Sequence, residues 1–90
     1  MKYISLGFFS NETDKEITIF LELACEEIKM APGHEIELLM EELDGVTPVS
    51  ILYNLKGLQI YPRSGWPAWL IRFKGKEIVP SYPRVLREYE

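Results

Sequence analysis

The sequence predicts a single small α+β domain: an N-terminal strand, about three helices, then an antiparallel β-hairpin or meander. Three observations carry that expectation. Apolar residues recur at helical spacing between Ile17 and Leu55, start and stop signals bracket those segments, and short alternating runs take over after Gly57. A helix layer on a small, mainly antiparallel sheet accommodates all three. Ninety residues hold one core and leave no room for a second, so residues 1–90 are expected to form one globular domain. A mostly-β sandwich or barrel is the alternative, and residues 16–43 are where the two readings part.

Residues 1–9 alternate, with Ile4, Leu6 and Phe8 on one face and Tyr3, Ser5 and Gly7 on the other, which is a strand pattern. Ser10-Asn11-Glu12 breaks it. Thr13-Asp-Lys-Glu16 then has the spacing of a capping box. Behind it, Ile17, Phe20, Leu21, Ala24 and Ile28 fall on one helical face. The same stretch also alternates through Ile17, Ile19, Leu21, Leu23 and Cys25, and the cap tips the expectation to helix. Pro32-Gly33 ends whatever precedes it, either as a helix stop or as a hairpin turn between residues 26–30 and 34–40. Ile36, Leu39, Met40 and Leu43 stand at i, i+3, i+4 and i+7, the pattern of a second helix closed by Asp44-Gly45.

Thr47-Pro48 supplies an N-cap and a proline at the first helical position. Pro48, Ile51, Leu52 and Leu55 give the third helix its apolar face, and Gly57 is its stop. Residues 58–61 and 68–73 are expected as strands joined by the turn-rich segment 62–67. Lys74-Gly75-Lys76 turns into a third strand over residues 77–79. Pro80 and Pro83 break the chain. The tail from Arg84 to Glu90 is expected to make a turn of helix with Val85, Leu86 and Tyr89 inward.

Net charge is −4, unevenly spread. Residues 1–55 hold three lysines against eleven acids, and residues 56–90 hold seven basic residues against three acids. A basic face on an acidic body steers anionic partners or lets copies associate, and equally the two halves pair within one domain. Cys25 is the lone cysteine, which excludes an intramolecular disulfide and fits a reducing compartment. Nothing approaches a signal peptide or a transmembrane span, so the expectation is a cytoplasmic protein that does not engage membranes.

The catalytic inventory is thin. His34 is the single histidine, so no histidine cluster can hold a metal, and it is expected to cap or exit the turn after Pro32-Gly33. Cys25 is expected as a small buried thiol, since Glu26 and Glu27 beside it disfavour a thiolate. The glycines are isolated and form no phosphate-binding loop. No catalytic residue, metal site or cofactor is assigned.

Residues 45–57, GVTPVSILYNLKG, resemble the turn and second helix of bacterial repressors of the lactose-repressor type. In these a glycine, a hydrophobic residue and a Ser or Thr cap precede the recognition helix. The resemblance implies that Ser50, Tyr53, Asn54 and Lys56 face the major groove, with residues 58–61 and 68–73 as a wing. The second surface feature is the basic, tryptophan-bearing segment containing Arg63, Trp66, Trp69, Arg72 and Lys74. Exposed tryptophan beside arginine is the composition of a protein-binding hot spot. The expectation is therefore a small non-catalytic protein–protein interaction module, such as an adaptor, inhibitor or regulatory subunit. A homodimer is compatible with it, and a winged-helix-like nucleic-acid binder is the alternative.

Overall fold

Alternation, not helical spacing, decides the architecture. The computed structural model of the chain describes residues 2–22, 25–43 and 48–90, and among them there is no α-helix. The chain forms strands β1 (Tyr3–Ser10), β2 (Ile17–Leu21), β3 (Glu26–Met30), β4 (Glu35–Glu41), β5 (Val49–Asn54), β6 (Gly57–Pro62), β7 (Trp69–Phe73), β8 (Lys76–Ile78) and β9 (Arg84–Val85). A 3-10 turn over Leu86–Tyr89 follows. The α+β expectation with three helices is overturned; the chain is mostly β and built from two sheets.

One sheet has four strands in the order β1-β4-β7-β8, and the other has five in the order β5-β6-β2-β3-β9. Each sheet sends one side-chain row inward. From the first come Ile36, Leu38, Met40, Trp69, Ile71, Phe73 and Ile78; from the second, Ile19, Leu21, Ile28, Met30 and Ile60. These rows share one core, which Leu86 of the 3-10 turn also enters. The tail meets its expectation in part, with Leu86 fully buried and Tyr89 packed against the core.

Each missing helix has a physical reason. In β2 the alternating reading wins: Ile19 and Leu21 are buried, and Thr18 and Phe20 point the other way. The supposed capping box is satisfied by a loop instead. Thr13 Oγ1 donates to Asn11 Oδ1 at 2.7 Å and accepts from the Lys15 N–H at 3.2 Å, so Thr13 caps a turn. Leu23 and Ala24 lie outside the described residues. Cys25 is exposed rather than buried and stands at φ 54 where the chain turns into β3.

Pro32-Gly33 is a turn but not a hairpin. The His34 N–H donates to the Ala31 carbonyl at 3.1 Å with Gly33 at φ 84, the backbone of a type II turn. The strands on either side belong to different sheets, so the turn carries the chain across the core. In β4 the helical stripe was an accident of a continuous apolar run. Ile36, Leu38 and Met40 face the core, and Leu39 is buried on the opposite face. The closing signal at Asp44-Gly45 and the cap at Thr47 lie outside the described residues.

Residues 49–62, read as the third helix and its following strand, make a β-hairpin. β5 and β6 pair antiparallel from Val49↔Pro62 to Asn54↔Gly57. Gly57 is not a helix stop. It sits at φ 136 with β2 so close that a Cβ there would lie 2.1 Å from the Thr18 carbonyl oxygen, so only glycine fits. β6 and β7 fall in different sheets, so the expected hairpin between residues 58–61 and 68–73 does not form; β7 pairs instead with β4 and β8.

One buried polar residue ties the two layers together. Asn11 is 1 % exposed at the end of β1, and every side-chain polar group it has is used. Its Nδ2 donates to the carbonyls of Lys15 and Met30 at 2.8 and 2.9 Å, and its Oδ1 accepts from the Thr13 N–H and hydroxyl. Its backbone bonds to His34 and Gly33 across the 31–34 turn.

Candidate partner-binding surface

The five residues expected to bind a partner are not brought together. Trp69 is buried in the core at 3 % exposure, because it stands opposite Met40 on the inward row of β7. Arg72 lies on the outer face of the four-stranded sheet between two acids, with Nη1 donating to Glu37 at 3.1 Å and Nε to Glu77 at 3.3 Å. Glu37 also accepts from the Ser5 hydroxyl at 2.6 Å, and that bond together with the guanidinium holds its carboxyl below the ordinary glutamate range. Arg72 thus belongs to a cross-strand charge row on the exposed face of the sheet. Lys74 occupies the tight β7–β8 turn at φ 50, its ammonium 5.8 Å from the Phe73 ring centroid.

Arg63 and Trp66 remain accessible. Trp66 is 75 % exposed in the β6–β7 connection. The Arg63 N–H donates to the Pro48 carbonyl at 2.9 Å, and its guanidinium donates to Ser50 Oγ at 3.1 Å. Both bonds hold Arg63 at the base of the β5–β6 hairpin.

That hairpin carries the surface the sequence reading missed. Ile51, Leu52, Tyr53 and Leu55 were expected as the buried face of a helix or its DNA-reading side, yet all four are exposed, Tyr53 at 85 %. β5 is one of the two edge strands of the five-stranded sheet. Val49 on its inward row packs against the core, whereas Ile51 and Tyr53 on the same row are open to solvent. Leu52 faces the other way. A signal for this was present: Val-x-Ile-x-Tyr is β-branched and aromatic with period two, and Asn54-Leu-Lys-Gly57 is a turn sequence.

Ser50, Tyr53, Asn54 and Lys56 were expected on a recognition helix. No such helix exists here. Ser50 and Asn54 point to one face of β5, Tyr53 points to the other, and Lys56 lies in the hairpin turn. Asn54 is engaged locally, its Oδ1 accepting from the Lys56 N–H at 2.9 Å and its Nδ2 donating to Gln59 at 2.7 Å. A groove of about 480 Å³ runs between this hairpin tip and the β1–β2 loop, with Tyr53, Leu55 and Leu58 on one wall and Thr13, Lys15 and Ile17 on the other.

His34 is a packing residue of the 31–34 turn. Its Nδ1 accepts from the Ala31 N–H at 3.0 Å, so the ring proton sits on Nε2 and is donated to the Glu90 carboxylate. That bond draws the Glu90 carboxyl below its ordinary range. Among the described residues no three His, Cys, Asp or Glu side chains gather into a metal-ligating group. No helix among them is long and apolar enough to cross a membrane. No family model, curated protein or solved structure matches the chain.

Proposed function

We propose that this protein is a small non-catalytic interaction module that binds another protein through the β5–β6 hairpin and the Arg63–Trp66 loop at its base. The observation that carries the reading is β5 itself. It is a six-residue sheet edge without a charged side chain, and its apolar residues Ile51, Leu52 and Tyr53 are open to solvent. Exposed apolar surface rimmed by polar groups is characteristic of interaction sites, and aromatic and arginine residues dominate binding energy at such sites. Arg63 lies beside the strand, donating to Ser50, and the exposed Trp66 follows in the same connection.

The test is co-purification of the tagged chain from its native host followed by binding measurements on the captured protein. Leu52→Lys, Arg63→Ala and Trp66→Ala should each keep the folded β spectrum. Each should weaken capture, by roughly 30-fold where the residue is a hot spot of about 2 kcal/mol. Capture unaffected by all three removes this surface from consideration. Retention on heparin or a salt-sensitive shift of duplex DNA, in place of protein capture, would overturn the reading in favour of nucleic acid.

A further inference from the structure

We infer that the occupant of the β5 edge is the β5 edge of a second copy, paired antiparallel about a two-fold axis through Ile51. The inference rests on the interaction reading above and assigns its partner.

Among the described residues four strands end the two sheets, and three carry features that discourage pairing. β1 is broken by a bulge between Ser5 and Gly7. β8 has three residues, two of them the charged Lys76 and Glu77, and β9 has two residues directly after Pro83. Short strands, bulges, charges and prolines are how proteins blunt sheet edges. β5 has none of these over its six residues; Pro48 directly precedes it, but position 48 bonds toward β6 and not toward the open edge.

The hydrogen-bond phase of β5 is fixed by one bond. The Arg63 N–H reaches the Pro48 carbonyl at 2.9 Å, so position 48 bonds toward β6. The β5–β6 ladder runs from there without a register shift, and antiparallel pairs alternate between bonded and non-bonded. Ser50, Leu52 and Asn54 therefore bond to β6, and Val49, Ile51 and Tyr53 turn their N–H and C=O groups to the open edge. Pro62, which has no N–H, stands opposite Val49 at a non-bonded position and agrees with this phase.

Three residues spaced by two, with the middle one on the axis, are complementary to their own copy. Ile51 pairs with Ile51, and Val49 pairs with Tyr53 in both directions. All six open backbone groups are then satisfied. The side-chain pairs that result are β-branched against β-branched and β-branched against aromatic, the favourable cross-strand combinations. The two exposed side chains of this row, Ile51 and Tyr53, gain cross-strand neighbours. Charge favours this seam over the rest of the surface, because a chain of net charge −4 meets its copy here along a strand without charge.

The experiment uses the full chain. Sedimentation from micromolar to near-millimolar concentration should show a shift from monomer to twice the monomer mass. Hydrogen exchange should protect the amides of Ser50, Leu52 and Asn54 at every concentration, and those of Val49, Ile51 and Tyr53 only where the dimer is present. Ile51→Lys places two ammonium groups opposite each other and should raise the dissociation constant at least about tenfold, with an unchanged β spectrum. As a second variant, Ile51→Cys in a Cys25→Ser background should oxidise to a disulfide-linked dimer, since Cα atoms of a bonded antiparallel pair lie about 5.5 Å apart, within disulfide reach. Leu55→Cys, beyond the paired segment, should not. A parent chain that stays monomeric, a dimer that survives Ile51→Lys, or equal cross-linking from positions 51 and 55 overturns the inference. A monomer that still captures another protein through Leu52 and Arg63 overturns the second-copy assignment alone; a chain that does neither overturns both.

Discussion

At the scale of single residues, the two tryptophans show how one side-chain type takes opposite roles three positions apart. Trp69 belongs to the inward row of β7 and packs among Met40, Ile71 and the other core residues; Trp66 stands in a connection with most of its surface in water. Removing a buried indole loses its transfer energy and leaves a cavity, whereas an exposed ring contributes little to folding. Trp69→Ala should therefore cost about 3–5 kcal/mol in urea unfolding. Trp66→Ala should stay within about 0.5 kcal/mol of the parent. Similar costs for both would mean that Trp66 is packed rather than free for a partner.

At the scale of elements, the outer parts of the chain were legible and the middle was not. Residues 3–9 and 69–73 both became strands. The bulge between Ser5 and Gly7 nevertheless shifts the phase of β1, so that Phe9 packs against the core and Phe8, expected on the face of Ile4 and Leu6, is exposed. The tight turn at Lys74-Gly75 was legible too, since glycine beside a residue at positive φ closes the β7–β8 hairpin. The middle failed where two periods fit the same residues. Leu38-Leu39-Met40 fills both faces of β4, so every third and fourth position is apolar whichever structure forms. Pro48 and Gly57 were read as helix punctuation, although strands use the same residues. Pro48 precedes β5, and Gly57 is required by the approach of Thr18 from a distant strand, which no local window contains. The exposed apolar strand was missed for the same reason, because a buried helix face and an open strand edge are both apolar. Far-UV circular dichroism tests the result directly. A β-type spectrum is expected, and the double minimum of a helical protein would overturn it.

At the scale of the whole molecule, the charge division between the two halves of the sequence is not a division in space. Arg72 from the second half is bracketed by Glu37 and Glu77, and β4 and β7 that carry the first pair are neighbours. The pH dependence of stability follows from such contacts, with two signs. Glu37, held low by Ser5 and Arg72, stabilises the fold above the ordinary glutamate value and loses that contribution as pH falls toward its folded value. Glu26 stands across from Leu21 at the margin of the core, and burial pushes its carboxyl up against the opposing pull of Arg84. The fold holds that proton more tightly, so stability declines as pH rises from the ordinary value through the raised one. In a urea series across the acid range, Glu37→Gln should flatten the loss on the acid side, and Glu26→Gln should remove the decline above it. Unchanged profiles for both would show that neither contact is linked to folding.

The burial of the Asn11 amide has a consequence for chemical ageing. Conversion of that side chain to aspartate would exchange a donor bonded to two carbonyl groups, those of Lys15 and Met30, for an oxygen that faces them. Because the amide is sealed from water, hydrolysis has to wait for the β1–β2 loop and the 31–34 turn to open together. The rate of such ageing in a stored sample would therefore scale with the fraction of molecules in which the bonds around Asn11 are open.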